Sequence, residues 1–271
     1  MTNGERTEQK PATPARIYDY VLGGTHNFPA DREAAKKAAE LFPDFPAAAR
    51  ANRAFLRRAV RELVDAGIRQ FLDIGSGIPT EGNVHEIAQT TAPDARVVYV
   101  DNDPVAVAEG LEILEGNDRA TAILGDLRNP QAILSNPRLR DLLDLDQPIG
   151  LLLVAILHFV PDDELAYGSV EQLTASLAPG SYLAISHVAA EAFAPSDERV
   201  EAMKDIYKRQ TTSQGTMRTR SEIARFFSGK IELVDPGVVH VVEWRPSPDD
   251  PKDFADEPNR SGMWAAVGMT T

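Results

Sequence analysis

The stretch QFLDIGSGIPT, residues 70–80, predicts a buried strand, a glycine turn and the start of a helix. The apolar run typical of a strand covered on both faces consists of Phe71, Leu72 and Ile74. Gly75 and Gly77 allow the backbone to turn sharply and to approach a ligand closely. A helix that begins near Thr80 would direct its free N–H groups at whatever occupies the turn. We therefore expect a ligand at the end of this strand.

Two further predicted strands each lead into an acidic residue. The apolar segment 95–100 ends on Asp101, and the segment 121–124 runs into the tripeptide 125–127, Gly-Asp-Leu. An acid at the tip of the second strand is placed to accept hydrogen bonds from the two hydroxyls of a ribose. The ligand is therefore predicted to contain a nucleoside.

In order and spacing, these three motifs resemble those of the class I S-adenosylmethionine-dependent methyltransferases. The resemblance implies S-adenosylmethionine as the cofactor. It also implies an α/β, Rossmann-like fold with a central, mostly parallel seven-stranded sheet and helices on both faces. Extra helices would precede this core, and an insertion would follow strand five.

The resemblance implies a role for each matching residue. Asp101 would hold the ribose, Asp126 and Leu127 would face the adenine, and Asn102 is expected at the adenine edge. The turn residues that would hold the methionine part of the cofactor are Asp73, Gly75, Ser76 and Gly77.

A closer resemblance covers nearly the whole chain and points to an actinobacterial family of S-adenosylmethionine methyltransferases whose substrate is unassigned. It is carried by the segments RIYDYVLGG (16–24), NFPADR (27–32), NRAFL (52–56) and 70–80. The resemblance implies that the N-terminal segment covers the cofactor site. We therefore expect Tyr18 beside the cofactor and Asn27 in the substrate cavity. Thr25 and His26 replace a Lys-Asp pair that is common in relatives, so they inherit no role.

The chain is expected to form one methyltransferase domain, residues 15–271, after a disordered tail at 1–14. Within the domain we predict a helical cap (15–66), a cofactor-binding core (67–190), a helical lid (191–230) and C-terminal strands (231–271). The first helix of the core is predicted to span 80–90, and a late strand 238–244.

Composition excludes several classes of protein. The net charge of −13 over 271 residues disfavours nucleic acid as a partner, because such binding depends on Lys and Arg neutralising phosphates. The chain contains no run of 18 apolar residues, so no membrane span is predicted. The cytoplasm is the location expected by default. The chain has no cysteine and its five histidines have no paired spacing, so no metal site is predicted. The arginines between 50 and 61 are interpreted as a solvated helix face, except Arg53, which lies in a family motif.

Two histidines are predicted at the edge of the sheet where open α/β sheets bind ligands. His158 follows the apolar strand 150–157, and a neutral histidine there is a candidate general base. The alternative is a histidine that only packs or caps the strand end. His187 ends the fifth strand and, with Tyr207 and Met217 of the lid, is a candidate substrate-binding residue.

The function predicted is methyl transfer to an oxygen or nitrogen nucleophile of a small-molecule acceptor. Two alternatives stay open at this stage, as does the oligomeric state. A non-catalytic module that binds S-adenosylmethionine or S-adenosylhomocysteine would need the same pocket. An NAD-dependent oxidoreductase would share the first turn and Asp101, but Thr80 replaces its third glycine and the motif at 125–127 has no use there.

Overall fold

The computed structural model describes residues 11–79, 82–194, 196–211 and 214–271, without the side chains of 204 and 207–210. Eight strands form one sheet in this part of the chain, in the order β3-β2-β1-β4-β5-β8-β6, with β7 also paired to β8. The strands are β1 (Gln70–Ile74), β2 (Arg96–Asp101), β3 (Ala120–Leu124), β4 (Gly150–Val154), β5 (Tyr182–Val188), β6 (Ile231–Leu233), β7 (Val239–His240) and β8 (Met263–Thr270). Strands β1 to β5 are parallel, and β8 runs antiparallel to its neighbours.

The mostly parallel α/β sheet that the sequence predicts is confirmed, with one strand more than expected. The eighth strand, β7, is a two-residue pairing of Val239 and His240 with β8 inside the predicted segment 238–244. The predicted strand 238–244 is therefore shorter than expected, because the chain turns away from the sheet after His240 and Arg245 adopts a positive φ of 44°.

Helices cover both faces of the sheet, since alternate strand residues belong to two separate cores. Phe71 packs with helix residues such as Phe55 and Val60, whereas Leu72 and Ile74 pack with Ile133 and other residues of the opposite face. The helices are α1 (Pro14–Val21), α2 (Pro29–Leu41), α3 (Phe45–Asp65), α4 (Val84–Thr91), α5 (Pro104–Ile113), α6 (Pro130–Leu134), α7 (Pro137–Leu142), α8 (Asp163–Ala175), α9 (Glu198–Gln210) and α10 (Arg220–Arg225). None of these helices, in the residues described, is both long and apolar enough to cross a bilayer.

The helix after β1 begins later than the sequence predicts. Helix α4 starts at Val84, whereas residues 80 and 81, where we placed its beginning, lie outside the described residues. The Asn83 side chain donates a hydrogen bond to the Pro79 carbonyl (3.0 Å), and the Asn83 N–H donates to Glu86 Oε2 (2.9 Å). The hydrogen bond between Asn83, which precedes the helix, and Glu86, the third residue of the helix, sets the start of α4 at Val84.

The N-terminal helices are attached to the core by a buried ion network. Arg16 of α1 donates hydrogen bonds to Asp31 Oδ2 of α2 (3.0 Å) and to Asp103 Oδ2 at the start of α5 (2.8 Å). Thr13 caps α1 and also donates to Asp103 Oδ2 (2.7 Å). Ala12, which the sequence assigns to a disordered tail at 1–14, is instead 1% exposed and bridges to Thr211; residues 1–10 lie outside the described residues.

One arginine of the predicted solvated face is buried. Arg58 on α3 is 4% exposed, and it donates to Asp250 (2.6 Å) and to the Trp244 carbonyl (2.8 Å). The C-terminal loop around residue 250 thus folds back onto α3, which the helical spacing of the arginines did not reveal.

We predict that Arg16→Met releases the N-terminal helices from the core. The substitution leaves Asp31 and Asp103 buried without their cation, which typically costs about 3–5 kcal/mol. Hydrogen exchange followed by mass spectrometry should show faster exchange of the α1 amides. Lys37→Ala removes an exposed ion pair with Glu33 on α2 and serves as the control, with unchanged exchange expected in α1. Unchanged α1 protection in Arg16→Met would contradict the prediction.

Candidate functional site

A cavity of about 710 Å³ opens at the carboxyl ends of β1, β2 and β4, between the sheet edge and helices α1, α3 and α9. Its volume falls in the range of about 300–1,000 Å³ that is usual for small-molecule sites. Nine of the predicted site residues line it: Tyr18, Asp73, Gly75, Ser76, Gly77, Asp101, Asn102, His158 and Met217. Four do not, namely Asn27, Asp126, Leu127 and His187, and the side chain of Tyr207 lies outside the described part.

The glycine turn after β1 forms as predicted, because both glycines need the left-handed backbone region. Gly75 has φ of +75° and Gly77 has φ of +64°. The N–H groups of Gly75 and Ser76 both donate to the Val100 carbonyl of β2, at 2.7 and 3.2 Å. A Cβ atom on Gly75 would lie 2.4 Å from Ile156 Cγ1, so a larger residue does not fit beside the segment after β4.

Asp101 at the tip of β2 is held by the glycine turn itself. Its Oδ2 accepts from the Gly77 N–H and its Oδ1 from the Asp103 N–H, both at 2.8 Å. Burial raises the pKa of Asp101, and these backbone N–H groups oppose the rise. A carboxylate offers about four acceptor sites, so each oxygen keeps capacity for one ligand hydroxyl. This donor and acceptor arrangement fits a ribose diol.

Asp73 and Arg53 place opposite charges in the same cavity. Burial raises the pKa of the Asp73 carboxyl to about 7; the Arg53 cation lowers it, and the neighbouring Asp101 carboxylate raises it. Arg53 comes from α3, and its guanidinium carbon lies 6.0 Å from the centre of the Tyr18 ring. Arg53 was distinguished from the other arginines of α3 by the family motif that contains it. The helical spacing of the arginines alone did not assign it to the site.

A chain of hydrogen bonds positions Tyr18 at the cavity wall. The Tyr18 hydroxyl donates to the Ala49 carbonyl (3.0 Å) and accepts from Asn52 Nδ2 (2.9 Å). Ser186 on β5 donates to Asn52 Oδ1 (2.6 Å) and accepts from the Ala155 N–H (3.0 Å). Burial raises the pKa of Tyr18. Tyr18 is therefore a neutral hydrogen-bonding residue that links α1, α3 and the strand ends.

His158 lies on a single 3₁₀ turn, Leu157–Phe159, directly after β4. Its Nδ1 atom is buried and has no hydrogen-bond partner among the described residues. Burial holds the pKa of His158 well below its usual value, and nearby His187 and Arg218 lower it further. The imidazole is thus neutral at physiological pH.

His187 does not reach the cavity, contrary to the predicted substrate contact. It is 0% exposed, with Nδ1–H donating to the Val188 carbonyl (2.8 Å) and Nε2 accepting from Arg218 Nη1 (2.9 Å). Arg218, 1% exposed, also donates to the Leu157 and Val160 carbonyls at 3.0 and 2.8 Å. The buried cation therefore needs His187 as an acceptor, and both of them support the turn that carries His158.

The acid after β3 is not part of the cavity lining either. Asp126 forms a two-pronged ion pair with Arg128, two residues along, and the Asp126 pKa is lowered chiefly by that hydrogen bond. Leu127 is 5% exposed and belongs to the hydrophobic core. Neither of the two residues predicted beside the adenine lines the cavity, since one side chain pairs locally and the other packs inward.

Asn27 organises the turn after α1 rather than the cavity. Its Nδ2 donates to Asp19 Oδ2 (2.8 Å) and to the Gly24 carbonyl (2.9 Å), while Arg32 donates to Asn27 Oδ1 (3.0 Å). Gly24 is required there, because a Cβ atom would lie 2.0 Å from Asp19 Oδ1. Asp19 itself lines the cavity and was not singled out from the sequence.

A second group of lining residues, which we call the apolar end, carries aromatic and sulfur-containing side chains, and the sequence revealed little of it. Its aromatic and sulfur-containing residues are Phe42, Phe45, Phe159, Phe193, Met203, Met217 and Met263. Phe42 and Phe193 meet edge to face at 5.3 Å between ring centres, and Arg199 lies over Phe42 at 5.2 Å. These residues come from five separate segments, at 42–45, 159, 193–203, 217 and 263, so no local pattern could have grouped them. The described residues include no cluster of acids and histidines able to hold a metal ion.

We predict that Gly75→Ala destabilises the fold more than Gly67→Ala. Both glycines have positive φ, +75° and +95°, and an L-residue there costs about 1–2 kcal/mol. Only at Gly75 does the new methyl group also overlap Ile156, which adds about 1–3 kcal/mol. A Cβ atom added at Gly67 would have no neighbouring atom within 4 Å. Urea unfolding of both variants measures the difference. An equal loss of unfolding free energy in the two variants would contradict the prediction, because the segment after β4 would then move aside freely.

We predict that Asp73→Asn stabilises the protein at alkaline pH. A carboxyl whose pKa rises from 3.8 to about 7 on folding contributes stability that is complete below pH 3.8 and lost as the pH passes 7. Asn never ionises, so the stability of the variant relative to the wild type should rise by about 3 kcal/mol between pH 5 and pH 8, the two pH units below pH 7 each contributing about 1.4 kcal/mol. Urea unfolding at both pH values tests this, with the exposed Asp249→Asn as control. A pH-independent difference would contradict the raised pKa.

Comparisons with known proteins agree with this site. The family model described as S-adenosyl methyltransferase matches residues 1–271. A crystal structure from Thermobifida fusca YX, provisionally described as a methyltransferase, shares 39% identity, with 97% of this chain and 96% of that chain covered and a TM-score of 0.86. A DUF574 family protein from Streptomyces avermitilis MA-4680 shares 41% identity over 96% of this chain and 98% of that chain, with a TM-score of 0.88. The comparison with curated proteins found no match.

These findings confirm the resemblance drawn from the motifs, and they decide against the nicotinamide-dependent alternative. The chain belongs to the S-adenosyl methyltransferase family, and its cofactor is S-adenosylmethionine.

Proposed function

We propose that this methyltransferase acts on an oxygen or nitrogen atom of a small, largely apolar organic molecule. The observation that supports the proposal is the continuity of the cavity. One cavity is lined both by the acids and glycines at the sheet edge and by the aromatic rings and methionines of the apolar end. A cofactor held at the sheet edge would have its acceptor beside it at the apolar end.

The residues at the sheet edge suit the chemistry of the cofactor. Asp101 has acceptor capacity for the ribose hydroxyls, and the positive φ of Gly77 allows the backbone to approach a ligand closely. Asn102 and Ile78 line the same wall and are proposed beside the adenine. Asp73 is proposed for the amino group of the methionine part. When bound, S-adenosylmethionine supplies a methyl group that its positively charged sulfur already activates.

The apolar end suits an uncharged aromatic body better than a charged one. Two arginines reach it, but Arg199 is paired with Asp197 (2.6 Å) and Arg260 with Asp44 (2.9 Å). Their charges are thereby compensated within the protein. Aromatic faces and edges favour offset or edge-to-face contacts with a ring in the ligand. We therefore expect acceptors such as phenols and aromatic amines.

His158 is the proposed proton acceptor for the reacting group. It lines the cavity, its imidazole is neutral, and its Nδ1 has no hydrogen-bond partner among the described residues. A neutral imidazole can accept a hydrogen bond from an O–H or N–H group and take its proton as transfer proceeds. Its low pKa makes it a weak base, so we assign most of the rate to orientation of the two reactants.

The test is methyl transfer to a panel of phenols and aromatic amines, measured as methylated product by mass spectrometry. With an accepted substrate, His158→Phe should lower kcat about 100-fold, at the lower end of general-base effects, while affinity for S-adenosylmethionine stays unchanged. The control is His26→Gln, since His26 pairs with Glu109 (2.6 Å) and does not line the cavity.

Two outcomes would count against the proposal. Binding of S-adenosylmethionine without methylation of any small nucleophile would argue against a small-molecule acceptor. Full activity of His158→Phe would assign the histidine to packing at the end of β4, the alternative that the sequence left open.

A further inference from the structure

We infer that Arg53 on α3 binds the carboxylate of the cofactor's amino-acid end, opposite Asp73. This residue lies outside the three sequence motifs that mark the cofactor site. The inference rests on the proposed arrangement of S-adenosylmethionine along the sheet edge. Its test distinguishes a failure of the inference from a failure of that arrangement.

The first observation is that Arg53 has no direct anionic partner among the described residues, its nearest compensating charge being the more distant Asp73. Arg53 is half-buried and lines the cavity, yet it forms no hydrogen bond or ion pair with any residue that the structure describes. The arginines that are buried within the described part of the chain are different, because Arg16, Arg58 and Arg218 each contact a carboxylate within 3.0 Å. Removing a guanidinium from water without such a partner is unfavourable, so its place in the cavity favours an anionic ligand.

The second observation is the sign and order of the charges along the cavity. Asp73 is buried at the end of β1, and Arg53 lies close enough to lower its pKa, although the two form no direct ion pair within 4 Å. A separated carboxylate and guanidinium complement an α-amino acid, whose ammonium and carboxylate carry the opposite charges. Asp101, the proposed ribose acid, follows on the adjacent strand β2. The amino-acid end and the ribose end thus occur in the order that one nucleoside-linked amino acid requires.

The third observation concerns geometry. The guanidinium of Arg53 lies 6.0 Å from the centre of the Tyr18 ring, and Tyr18 is itself held by Asn52, the neighbour of Arg53 on α3. A planar guanidinium binds a carboxylate through two parallel hydrogen bonds, which fixes direction as well as charge. Arg53 therefore acts as a positioning residue that orients the cofactor for transfer.

The experiment is calorimetric titration of wild type and Arg53→Gln with three ligands. S-Adenosylhomocysteine carries both carboxylate and ammonium, its decarboxylated analogue carries only the ammonium, and 5′-methylthioadenosine carries neither. We expect Arg53→Gln to weaken S-adenosylhomocysteine about 10- to 100-fold and to change the other two less than about threefold. Arg53→Lys should restore part of the loss. Arg61→Gln, an exposed change on the same helix, should have no effect.

The ligand series separates the possible failures. Equal weakening of all three ligands would overturn the inference, because Arg53 would then support the pocket as a whole. Unchanged binding of S-adenosylhomocysteine would overturn it as well and would leave Arg53 for an acidic acceptor. If none of the three ligands binds the wild type, the cofactor site itself fails, and the inference fails with it. Thermal unfolding of each variant confirms that the binding data come from folded protein.

Discussion

Three carboxylates, those of Asp73, Asp101 and Asp103, are buried at one edge of the sheet, and each needs compensation. Asp103 finds it in Arg16, Asp101 in two backbone N–H groups, and Asp73 only in the nearby charge of Arg53. Much of the molecule follows from this constraint. It ties the N-terminal helices to the core, holds the glycine turn against β2, and leaves at Asp73 an acid whose pKa of about 7 suits a cationic ligand.

The opposite wall of the cavity depends on one buried cation. Arg218 ties the carbonyls of Leu157 and Val160 to the His187 ring, and so fixes the turn that presents His158. The same charge disfavours protonation of both imidazoles, since it adds to their burial. A histidine kept neutral in this way can accept a proton at ordinary pH, but it does so weakly. This agrees with a reaction in which the methyl donor is already activated and placement dominates.

Local patterns were sufficient where a residue's role depends on its own strand or turn. The run before Gly75, the positive φ of Gly75 and Gly77, and the acid at the tip of β2 all lie within one βαβ unit, and all were predicted correctly. Local patterns failed where a polar residue had two possible partners. Asn27, Asp126 and His187 were each predicted at the ligand site, but none of them lines the cavity. They are bonded instead to Asp19, Arg128 and Arg218.

The sequence by itself determined the α/β class and the residues at the ends of β1 and β2, because short-range periodicity and backbone sterics specify them. The cofactor followed from the resemblance of the motifs to a known family. Only the tertiary structure decided which other residues line the cavity. Arg53, Asp19 and the apolar end formed by Phe42, Phe193 and Met203 come from segments far apart in the chain. Their meeting depends on how helices pack on the sheet and on which buried charges pair, and both are properties of the whole fold.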